Sequence, residues 1–125
     1  MNISQEVISV PFILKGKDLE WNLVREGCKR KVITTRNAMV VVYNIEPGPG
    51  LPPHKHEDVE QIAHIIKGKA KFIVNGENVI ADAGDFLLFK PGTVHGGQII
   101  GDEMAVTIDI FVPPLKDYLS EATKV

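Results

Sequence analysis

The sequence predicts an all-β domain, built as a closed barrel or a sandwich. Three observations point there. Short runs rich in Val, Ile and Phe recur along the chain, turn residues separate them at regular intervals, and almost nothing reads as helix. The 125 residues suffice for one hydrophobic core, so a single domain over residues 1–125 is expected. No internal repeat, low-complexity stretch or linker divides it.

The elements follow in order. The opening MNISQEVISVPFILKG carries a short apolar stretch from Val7 to Leu14. It lacks a basic leading region and Pro11 interrupts it, so it reads as an N-terminal edge strand rather than a signal peptide. Lys31 to Thr35 is the first clear β-type run, and Ala38 to Glu46 is a longer, strongly apolar one. EPGPGLPP comes next, with four prolines and two glycines in eight residues. It can be neither helix nor central strand, and reads as a stiff loop that delivers the chain to His54.

Gln61 to Ile66 reads as a strand that ends at Lys67-Gly68. AKFIV and ENVI flank Asn75-Gly76, the strongest short hairpin signal. Ala83-Gly84 is a turn, Asp85 to Phe89 a strand, Pro91-Gly92 a turn and Val94 to Ile100 a strand. A turn at Gly101-Asp102 leads into Glu103 to Val112, which Pro113-Pro114 ends. Leu115 to Thr123 reads as one short terminal helix. Val40, Val41 and Val42 are consecutive, so both faces of that strand are apolar. One face lines the interior, and the other must pack on a second sheet or another subunit.

Composition excludes several function classes. Net charge is −2, with Lys and Arg scattered, so no basic stripe argues for nucleic acid. Trp21 and the two tyrosines are too few for a base-stacking platform. No apolar run reaches the length of a membrane span. Cys28 is the only cysteine; it permits no intrachain disulfide, fits a reducing compartment, and reads as a small buried residue rather than a nucleophile. The expected location is the cytoplasm. Lys67, Lys69 and Lys71 alternate and read as a solvated edge or face.

The chemistry concentrates in PPHKHEDVEQIAHIIKG, Pro52 to Gly68. His54 and His56 are two residues apart, so in extended backbone they point to the same face and can share a metal ion. Taken alone, the pair also fits two solvated loop histidines. The spacing around it is more specific: Gly48, five residues, His54, one, His56, four, Gln61, six, Gly68. Downstream run Gly84, five residues, Lys90, one, Gly92, two, His95. These resemble the two motifs of the cupin superfamily, motif 1 over about 48–68 and motif 2 over about 84–99. Gln61 stands where that family usually has Glu, Lys90 stands for Pro, and Ile99 for Asn.

The Gln, with HKHEDVEQ, KPGTVHG and the ending DIFVPPLKDYL, is similar to a KdgF-like group of small uronate-processing cupins. Leu115 stands where that group has Arg. The resemblance implies a single-domain cupin β-barrel, a double-stranded β-helix or jelly roll, with a short C-terminal helix. It implies that His54, His56, Gln61 and His95 converge inside the barrel on one divalent transition metal: zinc, nickel, iron or manganese. Glu60 is the rival to Gln61, because the family also allows the shorter step from His56. Gln61 keeps the six-residue step to Gly68, and alternation then sends Ala63 and Ile65 inward and His64 outward.

Asp109 is the remaining candidate. Thr107, Asp109 and Phe111 share one face of MAVTIDIFV, opposite a wholly apolar face. The polar face either lines a cavity or is merely solvated. The resemblance favours the cavity, with Asp109 as catalytic acid/base and Phe111 and Lys116 as substrate contacts. Three imidazoles and an amide leave a metal's two charges uncompensated, which strengthens it as a Lewis acid and attracts anions. What the resemblance implies is ring opening of a small anionic sugar, an unsaturated uronate, to its linear keto form. Other metal-dependent cupin chemistry (a cyclase, isomerase or oxygenase) and a non-catalytic ligand-binding module are the alternatives. The apolar outer faces predict a homodimer.

Overall fold

The computed structural model describes residues 13–125. The strand expected from Val7 falls almost wholly outside them. Among the described residues there are eleven strands: β1 Asn22–Arg25, β2 Cys28–Thr34, β3 Met39–Ile45, β4 Leu51–His54, β5 Glu60–Lys67, β6 Lys69–Val74, β7 Glu77–Asp82, β8 Phe86–Phe89, β9 His95–Ile100, β10 Ala105–Val112 and β11 Thr123–Lys124. Two 3-10 turns, Gly16–Asp18 and Lys116–Glu121, are the only helical pieces among the described residues.

The strands form two sheets. The larger runs β1-β2-β3-β10-β5-β8, with β11 added in parallel beside β2; the smaller runs β4-β9-β6-β7. Ala63 and Ile65 of β5, Leu87 and Phe89 of β8 and Ala105 of β10 pack with Ala70, Ala81 and Ile99 of the smaller sheet. That shared core closes the two sheets into the expected jelly-roll barrel. A second core joins Val32, Met39, Val41, Val59 and Phe111 to Leu115 and Ala122 of the C-terminal segment.

Local chemistry explains the elements. At Asn75-Gly76 both residues have positive φ, 48° and 84°, as a two-residue hairpin turn between β6 and β7 requires. Three sequence expectations need correction. The stiff loop is shorter than EPGPGLPP, because Leu51–His54 pairs with β9. Pro52 and Pro53 fit there because β4 is an edge strand with one hydrogen-bonding side unused. The run expected from Lys31 begins at Cys28. The terminal helix is a 3-10 turn over Lys116–Glu121, and Thr123 already belongs to β11.

The inner face of the larger sheet carries the site in three cross-strand rows. The first is Arg30, Tyr43, Thr107 and Ile65; the second Val32, Val41, Asp109, Ala63 and Leu87; the third Thr34, Met39, Phe111, Gln61 and Phe89. Rows of one face are two residues apart along each strand, about 7 Å. Thr107, Asp109 and Phe111 therefore face the interior, and the reading of them as a solvated face fails.

Candidate metal centre and cavity

His54 ends β4 and His95 opens β9, and the two are directly paired across the sheet. His56 follows two residues after His54. The ring centroids lie 4.5 Å apart for His54 and His95, 5.0 Å for His54 and His56, and 5.6 Å for His56 and His95. One ring nitrogen from each meets the other two within 4.8 Å. Close pairing of β4 with β9 depends on Gly96. A Cβ there would meet the Leu51 carbonyl oxygen at 2.7 Å and the Pro53 nitrogen at 2.9 Å, both immovable backbone.

Two of the three rings are oriented by their own chain. His54 Nδ1 donates to the Pro52 carbonyl oxygen (3.1 Å), and His95 Nδ1 donates to that of Thr93 (3.0 Å). Each bond fixes the tautomer and leaves Nε2 as the bare acceptor, the usual outer support of a metal-bound imidazole. His95 also stacks on Phe89 at 4.2 Å, and His56 meets the edge of Phe111 at 5.8 Å. Gln61 lies between those two aromatics in the third row.

The polar atoms left over fit a cation. Among the described residues, His95 Nε2 and Gln61 Oε1 are the buried side-chain polar atoms without a hydrogen-bond partner. An orphaned buried acceptor costs about 1–3 kcal/mol. Two acceptors in one cavity, beside two more imidazoles, are what a bound divalent cation would satisfy. Burial is the main cause that pushes the His56 and His95 pKa values down, which keeps them neutral and ready to ligate. Glu60 is solvent-exposed on the opposite face, so the shorter spacing does not bring it to the histidines.

A cavity of about 200 Å³ opens from this triad along the larger sheet. Gln61, Asp109 and Phe111 line it, and so do Arg30, Tyr43 and Tyr118. Asp109 retains some exposure, yet desolvation dominates its protonation and pushes its pKa up to about 7, against a partly offsetting hydrogen bond from Gln61. Lys116 is exposed at the start of the 3-10 turn and does not line the cavity, contrary to the sequence expectation. Its neighbour Leu115 is 8% exposed and sits in the second core.

Sequence reasoning missed Arg30, Tyr43 and Tyr118. Arg30 Nε and Nη2 donate to Glu121 Oε1 (2.6 Å) and Oε2 (2.9 Å), and Nη1 donates to the Tyr43 hydroxyl (3.3 Å). The guanidinium lies 3.9 Å from the Tyr118 ring centre. Burial opposes its charge, but the bonds to Glu121 and Tyr43 outweigh it and hold its pKa above the ordinary value. Alternation offered a signal. Arg30 shares a face with Cys28, Val32 and Thr34, while Lys29 and Lys31 face away. A strand begun at Lys31 leaves it out.

A family model described as "Cupin domain" matches residues 41–111. The chain belongs to the cupin family. This cupin is 33% identical over 100 residues to the pectin degradation protein KdgF of Dickeya dadantii (strain 3937), covering 79% of this chain and 90% of that protein. It superimposes on the structure of KdgF from Halomonas sp. with a TM-score of 0.78 and 25% identity, covering 86% of this chain and 98% of that one. An RmlC-like cupin from Shewanella frigidimarina superimposes with a TM-score of 0.77 at 23% identity, over 87% of this chain and 96% of that one. That likeness is one of fold. No helix among the described residues is long and apolar enough to cross a membrane.

Proposed function

We propose that this cupin is a metal-dependent enzyme that opens 4,5-unsaturated monouronates to their linear keto form. The observation that carries the reading is a carboxyl held near neutrality, Asp109, hydrogen-bonded to Gln61 in the cavity beside three clustered histidines. The likeness to KdgF supports the substrate class.

His54, His56, His95 and Gln61 would hold one divalent ion: zinc, nickel, iron or manganese. Bound there, it would supply Lewis acidity toward the substrate oxygen that gains charge as the ring opens. The remaining chemistry falls to Asp109. Its carboxylate takes the proton of the anomeric hydroxyl, the bond from the anomeric carbon to the ring oxygen breaks, and an aldehyde and an enolate result. The same carboxyl, now protonated, returns the proton to the enolate carbon and leaves the ketone. One proton moves and no atom is gained or lost, so the reaction is an isomerisation. A pKa near 7 suits a group that must first accept and then give. Phe111, buried and against His56, walls the cavity behind the reacting ring.

The test is loss of ultraviolet absorbance from an unsaturated monouronate incubated with metal-loaded protein. Chelation and Asp109→Asn should each reduce the rate, the latter by about two to four orders of magnitude with metal retained. An unchanged rate in Asp109→Asn removes this mechanism. Wild-type protein that binds metal but leaves the absorbance intact removes the substrate.

The same reading includes a homodimer. On the outer face of the larger sheet, Val40, Ile110, Ile62 and Leu88 form one cross-strand row, and Val42, Ile108, His64 and Phe86 the next. Leu88 is 72% and Phe86 64% exposed, and His64 stacks on Phe86 at 3.9 Å. A continuous apolar face of this kind suits a second copy of the chain.

A further inference from the structure

The cavity has a second polar end, away from the histidines. Arg30 lies in the row that begins one step beyond Asp109, with Tyr43 beside it. Its side chain is only 14% exposed. Arg25, the other arginine of the cavity, is exposed at its rim. Neither Lys116 nor Leu115 reaches the cavity. Arg30 is therefore the enclosed cation available to an anionic ligand.

Its geometry is fixed in advance. The two-pronged contact with Glu121 and the Tyr118 ring hold the guanidinium plane, and the Tyr43 hydroxyl takes a third N–H. An arginine has five N–H groups. One remains on each of Nη1 and Nη2, and both belong to a side chain that lines the cavity. A guanidinium already locked in place loses little further freedom when it binds a carboxylate.

We infer that Arg30 anchors the carboxylate of the ligand, through its two remaining terminal N–H groups, while the reacting carbons lie over Asp109 toward the histidines. The inference rests on the reading that the cavity takes a small sugar acid. It assigns Arg30 as a binding residue, and Glu121 as the residue that positions it. The bland alternative is a latch: the Arg30–Glu121 pair would merely tie the C-terminal segment to β2.

The two roles differ in which ligand they affect. The probes are D-galacturonate and D-galactose, which share a ring and differ in the carboxylate, titrated calorimetrically into metal-loaded protein. The wild type should bind the acid at least about tenfold more tightly than the neutral sugar, as charge-assisted hydrogen bonds imply. Arg30→Met should lower acid affinity by about 10- to 100-fold and leave galactose binding within about threefold. Arg30→Lys keeps a charge without the fork and should fall between, which preserves the test if the Met variant does not fold. Glu121→Gln keeps one acceptor but loses the two-pronged hold on the guanidinium, so it should weaken acid binding by less than Arg30→Met does and leave galactose binding unchanged. A latch predicts instead that substitution at either site weakens acid and neutral sugar together.

No acid preference in the wild type, or a preference that survives Arg30→Lys and Arg30→Met, overturns the inference. Acid binding that depends on Arg30, with no turnover of unsaturated uronates, supports the anchor while removing the proposed reaction.

Discussion

Asp109 should make the metal-free protein less stable as pH rises, and Asp109→Asn should abolish that loss. Burial raises the folded-state pKa of this carboxyl from an ordinary 3.8 to about 7. In the unfolded chain it ionises near the ordinary value. A raised folded value means that the stabilising contribution of the neutral carboxyl is complete below about pH 4 and is lost as pH climbs through about 7. The full difference corresponds to about 4 kcal/mol at 1.36 kcal/mol per pH unit. Water reaching the carboxyl through the cavity reduces this, so about 2–4 kcal/mol is expected. Asparagine has the same shape, still accepts from Gln61 and never ionises.

The assay is urea unfolding of chelator-treated wild type and Asp109→Asn at about pH 4 and pH 8, compared as a difference between the two proteins. His56 and His95, whose pKa values burial pushes down, make both proteins gain stability as pH rises through the ordinary histidine range, and so cancel. Adding the divalent ion should shrink the difference, because a nearby cation favours the ionised carboxylate. Wild type and variant that stay parallel within about 0.5 kcal/mol across this range would refute the reasoning, since Asp109 would then be as well hydrated as in the unfolded chain.

Three further outcomes are expected. His95→Ala should lose bound metal, measured by elemental analysis of untagged protein, yet keep its far-ultraviolet circular dichroism; full occupancy would remove His95 from the site. Gly96→Ala must push β4 away from β9, so metal affinity should fall by about 10- to 100-fold in a competition titration although every ligand is intact. Leu115→Arg puts a charge into the second core and should destabilise the fold by about 3 kcal/mol or more in urea, without improving uronate binding.

Much of this protein was legible from period and spacing alone. Alternation at i, i+2 placed Thr107 with Asp109 and Phe111 because a strand offers only two faces, and it placed His54 with His56 although β4 ends at His54. Asn75-Gly76 located a hairpin because few dipeptides adopt paired positive φ. The same alternation, once the family's step to Gly68 sets its phase, turns Gln61 inward and Glu60 outward, as their burial and exposure show. The tertiary structure decided what alternation cannot reach. His95 meets His54 through a pairing between strands far apart in sequence, made possible by the missing side chain of Gly96. Lys116 escapes such a rule because a 3-10 turn has no period of two, and its docking on β2 and the second core alone sets which side chain is buried. Arg30 meets Glu121 across 91 residues of sequence. Local propensity acts over a few residues, whereas the cavity is made where distant strands come into register, so its cation became visible only when they did.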